Sequence, residues 1–236
     1  MPSYIFDVDG TLTPSRATLD SAFGNWLEMH LTHKACYIVT GSDRKKTLEQ
    51  IPNPLYNLFI RSYQCSGNDV WEGSTHVRSA DVCFPDQLYW DLEILLRQST
   101  FPVKRGNHID VRPGLVNFSI VGPGASSEER ELYKQWDSDT DERHAIASRL
   151  SEQYPSLHFA VAGETGIDIT DRGNDKSQIL LDFSSEDEHI YFFGDKCQPG
   201  GNDHEIATAV SKRTNGTVFE VNDWNDTWNI LKRLWE

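Results

Sequence analysis

An apolar stretch that ends in two alternate aspartates constrains this chain more than any other part of its sequence. Residues 4–11 read Tyr-Ile-Phe-Asp-Val-Asp-Gly-Thr. Side chains alternate between the two faces of a strand, so Asp7 and Asp9 are expected on one face, and Gly10 begins a turn. A carboxylate at the carboxyl end of a buried strand lies where open α/β sheets bind ligands. The stretch therefore predicts an α/β fold with a functional site at one sheet edge, and an ordinary strand with an Asp-Gly turn is the alternative.

Other apolar runs end in polar residues in the same way. Residues 35–43 form a second run, which ends in Thr-Gly-Ser-Asp and follows a helical spacing over residues 14–32. Strand–helix–strand units of this length make right-handed parallel connections, which would bring Thr40 beside Asp7. Thr40 as a cap of the next helix is the alternative. A later run, residues 189–195, again ends in a carboxylate, that of Asp195.

The middle of the chain has a different pattern. Two pairs of short strands surround turn signals, one at residues 112–114 and one at residues 163–166, and charged helical stretches lie between them. This pattern indicates antiparallel strands combined with helices. We therefore predict a Rossmann-like core with a parallel sheet from residues 1–71 and 173–236. Residues 72–172 are predicted to be an inserted α/β cap domain with an antiparallel sheet.

Composition excludes several classes of function. The chain has 236 residues and a formal net charge of −14, which argues against general binding to nucleic acid, because that binding depends on clustered Lys and Arg. It has no apolar run of about 18 residues that could cross a membrane. Its four cysteines, at positions 36, 65, 83 and 197, lack a zinc-like spacing. The first strand begins almost at once, without room for a signal peptide, so we expect a cytoplasmic protein.

The predicted sheet edge collects acids that need a cation. Several carboxylates in one cleft raise each other's pKa unless a cation neutralises them. Magnesium prefers carboxylate, water and phosphate oxygens, and a soft His/Cys cluster that would favour zinc is lacking. The sequence thus predicts Mg²⁺ as the cofactor, and the candidate metal ligands are Asp7, Asp9, Asp195, Asn202 and Asp203.

These residue types suit phosphoryl transfer. One aspartate, Asp7, can attack phosphorus and form an aspartyl-phosphate. The other, Asp9, can protonate the leaving oxygen and later deprotonate the acceptor. Thr40 and Lys176 would stabilise charge on the transferring oxygens. Taken singly, Lys176 and the later acids could equally be solvated surface residues; their coincidence with the first strand favours the catalytic interpretation.

The motifs resemble those of the haloacid dehalogenase superfamily, and within it the eukaryotic-type phosphomannomutases. The resemblance rests on residues 7–11, Thr40, Lys176 and the segment 192–206, and it covers nearly the whole chain. It implies Mg²⁺, an aspartate nucleophile at Asp7, an acid/base at Asp9 and a cap that closes over the core. Small phosphorylated sugars are the partners that it implies, and a homodimer formed through the cap is left open.

The resemblance also implies a cap that binds the non-reacting phosphate of a sugar. Arg105, Arg112 and Asp168 fall on matching positions, and Asn117 lies in the matching motif. At two positions the chain departs from the family: Pro123 replaces a phosphate-binding arginine and Gly166 replaces a serine. Proline cannot supply the bidentate fork of an arginine.

These departures weaken the case for a mutase, which must hold a distal phosphate in two substrate orientations. A third departure, the hydroxyl of Thr40 in place of a glycine, is typical of phosphatases in the superfamily. We therefore expect a Mg²⁺-dependent phosphatase of sugar phosphates or other small phosphomonoesters. The alternatives are a phosphohexomutase with a rebuilt distal site and an inactive sugar-phosphate-binding protein.

Overall fold

The computed structural model describes residues 1–80, 83–183 and 188–235. The strands are β1 (Ser3–Phe6), β2 (Ala35–Val39), β3 (Arg61–Gln64), β4 (Asp69–Glu72), β5 (Thr75–Ser79), β6 (Ile109–Arg112), β7 (Leu115–Phe118), β8 (Leu157–Ala162), β9 (Gly166–Asp171), β10 (Ile190–Gly194) and β11 (Gly216–Glu220). The α-helices are α1 (Ser21–Leu31), α2 (Arg44–Gln50), α3 (Asn53–Tyr56), α4 (Asp86–Gln98), α5 (Ser127–Thr140), α6 (Glu142–Gln153), α7 (His204–Ser211) and α8 (Trp224–Trp235). Two short segments, Cys65–Gly67 and Lys176–Asp182, form 3₁₀ helices.

The larger sheet carries the predicted parallel pattern. Its seven strands lie in the order β11-β10-β1-β2-β3-β4-β5, and the first five are parallel. In the register of β1, Phe6 pairs with Phe193 of β10 on one side and with Ile38 of β2 on the other. Asp7 therefore leaves the sheet between the tips of these two strands, at the edge that the sequence predicts for the site.

Helices cover both faces of this sheet because its central strands are apolar on both faces. The side chains of Tyr4 and Phe6 pack with α1, α3 and α8 in one hydrophobic cluster. Ile5, between them, packs with α7 and the segment Lys176–Asp182 in a second cluster. The predicted α/β architecture is thus confirmed. In the described parts of the chain, no helix has the length and apolar character needed to cross a membrane.

The inserted segment forms its own antiparallel sheet, in the order β6-β7-β9-β8. Both predicted strand pairs are present, β6 with β7 and β8 with β9. Alternation gives this sheet two unlike faces. One face packs against α4, α5 and α6 in a separate hydrophobic cluster that includes Phe118 and Ile167. The other face bears Arg112, Asn117 and Asp168, which lie over the tips of the parallel strands.

The connection between core and cap differs from the prediction in one respect. Residues 69–79 form the hairpin β4–β5, which extends the core sheet, although the predicted boundary lies at residue 71. Both connections to the cap meet at Asn68. Its carbonyl oxygen accepts from the Ala80 N–H at 2.6 Å, and its side-chain amide donates to the Asn174 carbonyl at 3.1 Å. Sheet pairing thus favours a cap that begins near residue 80, and the division into two domains stays a prediction.

Candidate active site

Three carboxylates converge at the tips of the parallel strands. Asp7 follows β1, Asp195 follows β10, and Asp203 precedes α7; one oxygen of each lies within 4.8 Å of the others. Asp7 and Asp203 are buried, with 3% and 0% of their surface exposed. Gly10 makes this approach possible: its φ is +87°, and a Cβ there would lie 2.5 Å from Asp195 Oδ2.

Lys176 lies inside this acid cluster, by which we mean Asp7, Asp195 and Asp203. Its Nζ donates to Asp7 Oδ1 at 2.6 Å and to Asp203 Oδ1 at 2.7 Å, and the side chain is fully buried. Burial alone would lower the pKa of Lys176, but the charges of Asp203 and Asp7 outweigh it and raise the pKa. With one ammonium among three carboxylates, the ionised cluster has a formal charge of −2.

The acid cluster fits a hard divalent cation. Burial raises the pKa of Asp7 well above its ordinary value, with Asp203 and Asp195 adding to the effect and Lys176 opposing it. Burial and the nearby Asp203 also raise the pKa of Asp195 to about 6. Such raised values mean that the ionised cluster lacks positive charge. Its donors are carboxylate oxygens, which Mg²⁺ prefers. The side chain of Asn202 borders the same cleft.

Asp9 lies in a different environment from the acid cluster. Its carboxylate accepts from the Arg16 backbone N–H at 2.7 Å, Gln50 Nε2 at 3.0 Å, Lys46 Nζ at 3.2 Å and Ser42 Oγ at 3.3 Å. Burial by itself raises the pKa of Asp9, but Lys46 and these hydrogen bonds outweigh it and lower the pKa. The structure therefore does not bring the Asp9 side chain into the acid cluster, where its prediction as a metal ligand would put it.

Thr40 lies at the tip of β2, as predicted, and lines the cleft between core and cap. Its Oγ1 accepts from the Ser42 N–H at 3.1 Å. The next residue, Gly41, contacts the cap directly: its carbonyl accepts from Arg112 NH1 at 2.7 Å. A Cβ on Gly41 would lie 2.3 Å from Asp168 Oδ2, so only glycine fits there without movement.

Three of the four predicted cap residues line the cleft together, namely Arg112, Asn117 and Asp168. Asn117 Nδ2 donates to Asp168 Oδ1 at 2.7 Å. Burial lowers the pKa of Arg112, but Asp168 and Asp110 outweigh it and raise the pKa. Arg105 does not join them. Its side chain is 58% exposed and pairs with Glu129 at 3.0 Å, outside the residues that line the cleft.

Three cationic side chains that were not among the predicted site residues also line the cleft: Arg16, Lys46 and Arg130. Arg130 is 7% exposed; its NH2 donates to Thr165 Oγ1 at 3.1 Å, and its NH1 has no partner. Burial and the charge of Arg16 lower the pKa of Arg130 to about 10. A signal for Arg130 exists, because it shares the buried stripe of α5 with Tyr133 and Asp137.

The two positions at which the chain departs from the family pattern have different surroundings. Pro123 is exposed and does not line the cleft. Gly166 does line it, and a Cβ there would lie 2.7 Å from Asn117 Nδ2. The cleft as a whole thus has both acids and cations on its core side and on its cap side. Two aspartates in unlike surroundings, Asp7 and Asp9, suit two different chemical roles.

Two solved structures align with nearly the whole of this chain. A trehalose-6-phosphate phosphatase related protein aligns with a TM-score of 0.59 and 18% identity over 98% of this chain and 96% of its own. A haloacid dehalogenase-like hydrolase from Bacteroides thetaiotaomicron aligns with a TM-score of 0.59 and 13% identity over 99% of each chain. At this level of identity the likeness shows the fold alone.

Relatives found by sequence identify the family more narrowly than the fold does. A probable phosphomannomutase from Caenorhabditis elegans is 34% identical over 244 residues, covering 98% of this chain and 95% of the relative. A phosphomannomutase from Saccharomyces cerevisiae is 32% identical, covering 98% and 92%. The sequence model of eukaryotic phosphomannomutase matches residues 25–236. Together with the fold and the acid cluster, these matches show that the chain belongs to the eukaryotic phosphomannomutase family of the haloacid dehalogenase superfamily.

Proposed function

We propose that this protein is a Mg²⁺-dependent phosphohexomutase that moves a phosphoryl group between two hydroxyls of a hexose. The observation that carries the proposal is the set of cations around the cleft. Arg16 and Lys46 line it from the core, and Arg112 and Arg130 line it from the cap. A mutase binds a substrate with two phosphates at once during its cycle, so it needs positive charge beyond the reacting centre.

This proposal reverses the order of our expectations from the sequence. The phosphatase was preferred because Pro123 replaces an arginine, yet Arg16 and Arg130 supply guanidinium groups to the cleft without it. The relatives named phosphomannomutase favour the same choice. The phosphatase is therefore the second candidate.

In the proposed reaction, Asp7 is the nucleophile. Lys176 holds one of its carboxylate oxygens at 2.6 Å, and the other is free to attack phosphorus. The P–O bond to the sugar breaks as the Asp7–phosphorus bond forms, and the sugar oxygen takes a proton from Asp9. Then Asp9 removes the proton of the accepting hydroxyl as that oxygen attacks the aspartyl-phosphate, and Asp7 is released. Bound Mg²⁺ would neutralise charge on the acids and the phosphoryl oxygens.

Asp9 must alternate between acid and base in this scheme. In the free protein, Lys46 and three hydrogen bonds lower its pKa, which favours the base form. An incoming phosphate brings negative charge next to Asp9 and competes for Lys46, and both effects raise the pKa of a carboxyl. Substrate binding would therefore prepare Asp9 to give its proton to the leaving oxygen.

The test is to follow mannose 1-phosphate and glucose 1-phosphate by ³¹P NMR with Mg²⁺, with and without the hexose 1,6-bisphosphate as activator. We expect the 6-phosphate to form in excess of free phosphate, and only when the activator is present. Asp7→Asn should lose at least about a thousandfold in kcat with its fold intact. Free phosphate as the main product would reject the mutase and support the phosphatase.

The phosphatase stays as a candidate because of one observation in the cleft. A Cβ at position 166 would lie 2.7 Å from Asn117 Nδ2, so a serine there would require the side chain of Asn117 to move. A cap with fewer groups for a distal phosphate would hold the sugar less firmly while Asp7 carries the phosphoryl group. Water could then accept the phosphoryl group in place of a sugar hydroxyl.

A matched pair of variants tests the role of the cleft cations. Arg130→Ala should raise KM by about tenfold or more, because a charged hydrogen bond to phosphate is lost. Arg105→Ala should change KM by less than about twofold, since Arg105 is exposed and pairs with Glu129. Equal effects of the two substitutions would contradict the cleft as the substrate site. Arg130→Lys, which keeps the charge, checks that unfolding is not the cause.

A further inference from the structure

A second, much smaller cavity lies between cap and core, behind the wall of the cleft. It has a volume of about 10 Å³. Ala160 and Thr170 line it from the cap, and Ser66, Lys176 and Asn202 line it from the core. Asn202 borders both this cavity and the cleft. Asp168 borders both as well, so two side chains lie between this small polar space and the region where the phosphate of a substrate is expected.

Two walls of this cavity have polar atoms without a partner in the protein. They are the hydroxyl Oγ1 of Thr170 and the amide Oδ1 of Asn202. Thr170 is 2% exposed, so solvent does not serve its hydroxyl from outside. A buried polar group without a hydrogen bond destabilises the folded state. Two such groups on one cavity are therefore a sign that the cavity holds a polar ligand.

The cavity has the size of a single water site. Roughly 10–15 Å³ is enough for one water molecule, which needs two to four polar partners. A backbone hydrogen bond beside the cavity fixes the position of the loop that carries Asn202. The Val161 N–H of β8 donates to the Gly200 carbonyl at 2.9 Å, which brings the loop that carries Asn202 alongside the cap sheet.

We propose that Thr170 is a positioning residue, which orients the amide of Asn202 through one buried water. The water accepts or donates at Thr170 Oγ1 and donates to Asn202 Oδ1. An amide is planar, so an Oδ1 held towards the cavity leaves Nδ2 as the end that faces the cleft. Nδ2 can then donate to a phosphate oxygen, whereas an Oδ1 turned to the cavity is poorly placed to bind metal, the role predicted from the sequence. The inference rests on the proposed function only in that phosphate binds in this cleft.

A purely structural threonine would give the opposite result. Thr170 Oγ1 has no protein partner, so Thr170→Val replaces an unsatisfied hydroxyl with a methyl group of similar size. Without the water, this change would leave stability unchanged or raise it, and it would not alter binding in the cleft. With the water, the variant loses one of the two protein groups that hold it, and the Asn202 amide loses its fixed orientation.

The test measures binding of inorganic phosphate at saturating Mg²⁺ by isothermal titration calorimetry. We expect Thr170→Val to bind phosphate about three- to tenfold more weakly, and Thr170→Ser, which keeps the hydroxyl, to bind within about twofold of the unchanged protein. In an Asn202→Ala background, Thr170→Val should have no further effect. Unchanged binding by Thr170→Val, or an equal effect in the Asn202→Ala background, would overturn the proposal.

A crystal structure of the unchanged protein gives a second readout that does not depend on activity. We expect a water peak within hydrogen-bond distance of both Thr170 Oγ1 and Asn202 Oδ1, and its loss in Thr170→Val. A cavity without density in the unchanged protein would rule out the bridge. Neither experiment uses turnover, so a protein that fails as a mutase can still pass or fail here.

Discussion

Lys176 shows how one residue can hold a site of like charges together. It lies between Asp7 and Asp203 at 2.6 and 2.7 Å, with no exposed side-chain surface. Removing one partner of a buried ion pair leaves an uncompensated charge, which costs far more than the pair contributes. The lysine therefore stabilises the fold and also sets the charge that the cluster offers to a metal ion.

We predict that Lys176→Met destabilises the protein by about 3–5 kcal/mol in the presence of a chelator at pH 8. Mg²⁺ should recover part of the loss, because it supplies positive charge to the same carboxylates. Urea unfolding followed by circular dichroism measures both effects. Lys196→Met is the control, since Lys196 lies 3.5 Å from Asp195 and is 44% exposed. The prediction fails if the two variants are equally stable.

The pKa of Asp195 predicts a pH effect on the metal-free protein. Burial and Asp203 raise this pKa to about 6, above the ordinary value of an aspartate. The folded state therefore binds the proton more tightly than the unfolded state between about pH 4 and pH 6. Across that range, the free energy of unfolding falls as the pH rises, because the folded protein must ionise a buried Asp195. Above pH 6 this destabilisation is fully present.

The matching experiment compares the unchanged protein with Asp195→Asn in chelator, from pH 5 to pH 8. Asparagine does not titrate, so we expect the variant to gain stability relative to the unchanged protein as the pH rises through about 6. The urea midpoints give the difference. A difference that is flat with pH, or that shrinks as the pH rises, would show that Asp195 does not carry a raised pKa.

At the scale of elements, the cap contacts the core just after β2, at Gly41. Its carbonyl holds Arg112, and its Cα lies against Asp168. We predict that Gly41→Ala displaces Asp168 and raises KM by about tenfold, with a smaller change in kcat, because binding needs the closed cap. Steady-state kinetics and small-angle X-ray scattering check this. Gly24→Ala in α1 is the control, where the nearest atom to the new Cβ belongs to the flexible end of Leu19. Equal KM values would disprove the close contact.

Strand tips were predictable because each is a hydrophobic run that stops at a polar residue, as at Asp7, Thr40 and Asp195. The hairpin β4–β5 was not, since β5 reads Thr-His-Val-Arg-Ser and is exposed along its whole length. Residues 75–79 form a strand because they pair with β4. Their sequence has no alternating hydrophobic pattern from which a strand could be predicted. The sequence motifs therefore predicted the strand tips that form the site, but they did not predict the hairpin β4–β5.

The cap arginines mark the limit of prediction at the site. Arg105 was chosen from a matching motif, but it lies in a loop where its side chain pairs with Glu129. Arg130, in the buried stripe of α5, reaches the cleft. A guanidinium group can extend in many directions, so its destination depends on the packing of the cap helices on the sheet. The positions of the core aspartates were easier to predict, because a strand fixes the direction of each side chain.

At the scale of the whole molecule, core and cap have separate hydrophobic clusters. Among the residues that the structure describes, the buried members of the cap cluster lie between Phe84 and Ile169, and those of the two core clusters lie outside that range. Both connections between the units meet at Asn68, where Ala80 and Asn174 are bound. Such an arrangement is typical of an insertion that folds by itself.

We predict that the cap, residues 83–172, unfolds cooperatively as an isolated fragment, and that a core with residues 81–172 replaced by a short Gly-Ser linker also folds. The shortened core should keep the acid cluster and hydrolyse an aryl phosphate slowly, but it should lose turnover of hexose phosphates, because Arg112 and Arg130 are gone. Circular dichroism melts and phosphate release measure these outcomes. Aggregated or unfolded fragments would show that the two units are one cooperative domain.

The backbone hydrogen bond from Val161 to Gly200 also bears on solubility. Strands β6 and β8 are the two edges of the cap sheet. The edge strand β6 contains Asp110 and Arg112, whereas β8 reads Leu-His-Phe-Ala-Val-Ala, without an acidic or basic charge apart from its histidine. Uncharged edges recruit strands from other chains, and a loop that covers them prevents this. Closure of the cap keeps part of β8 against the core, so a bound ligand that favours closure would also protect the protein from aggregation during purification and storage.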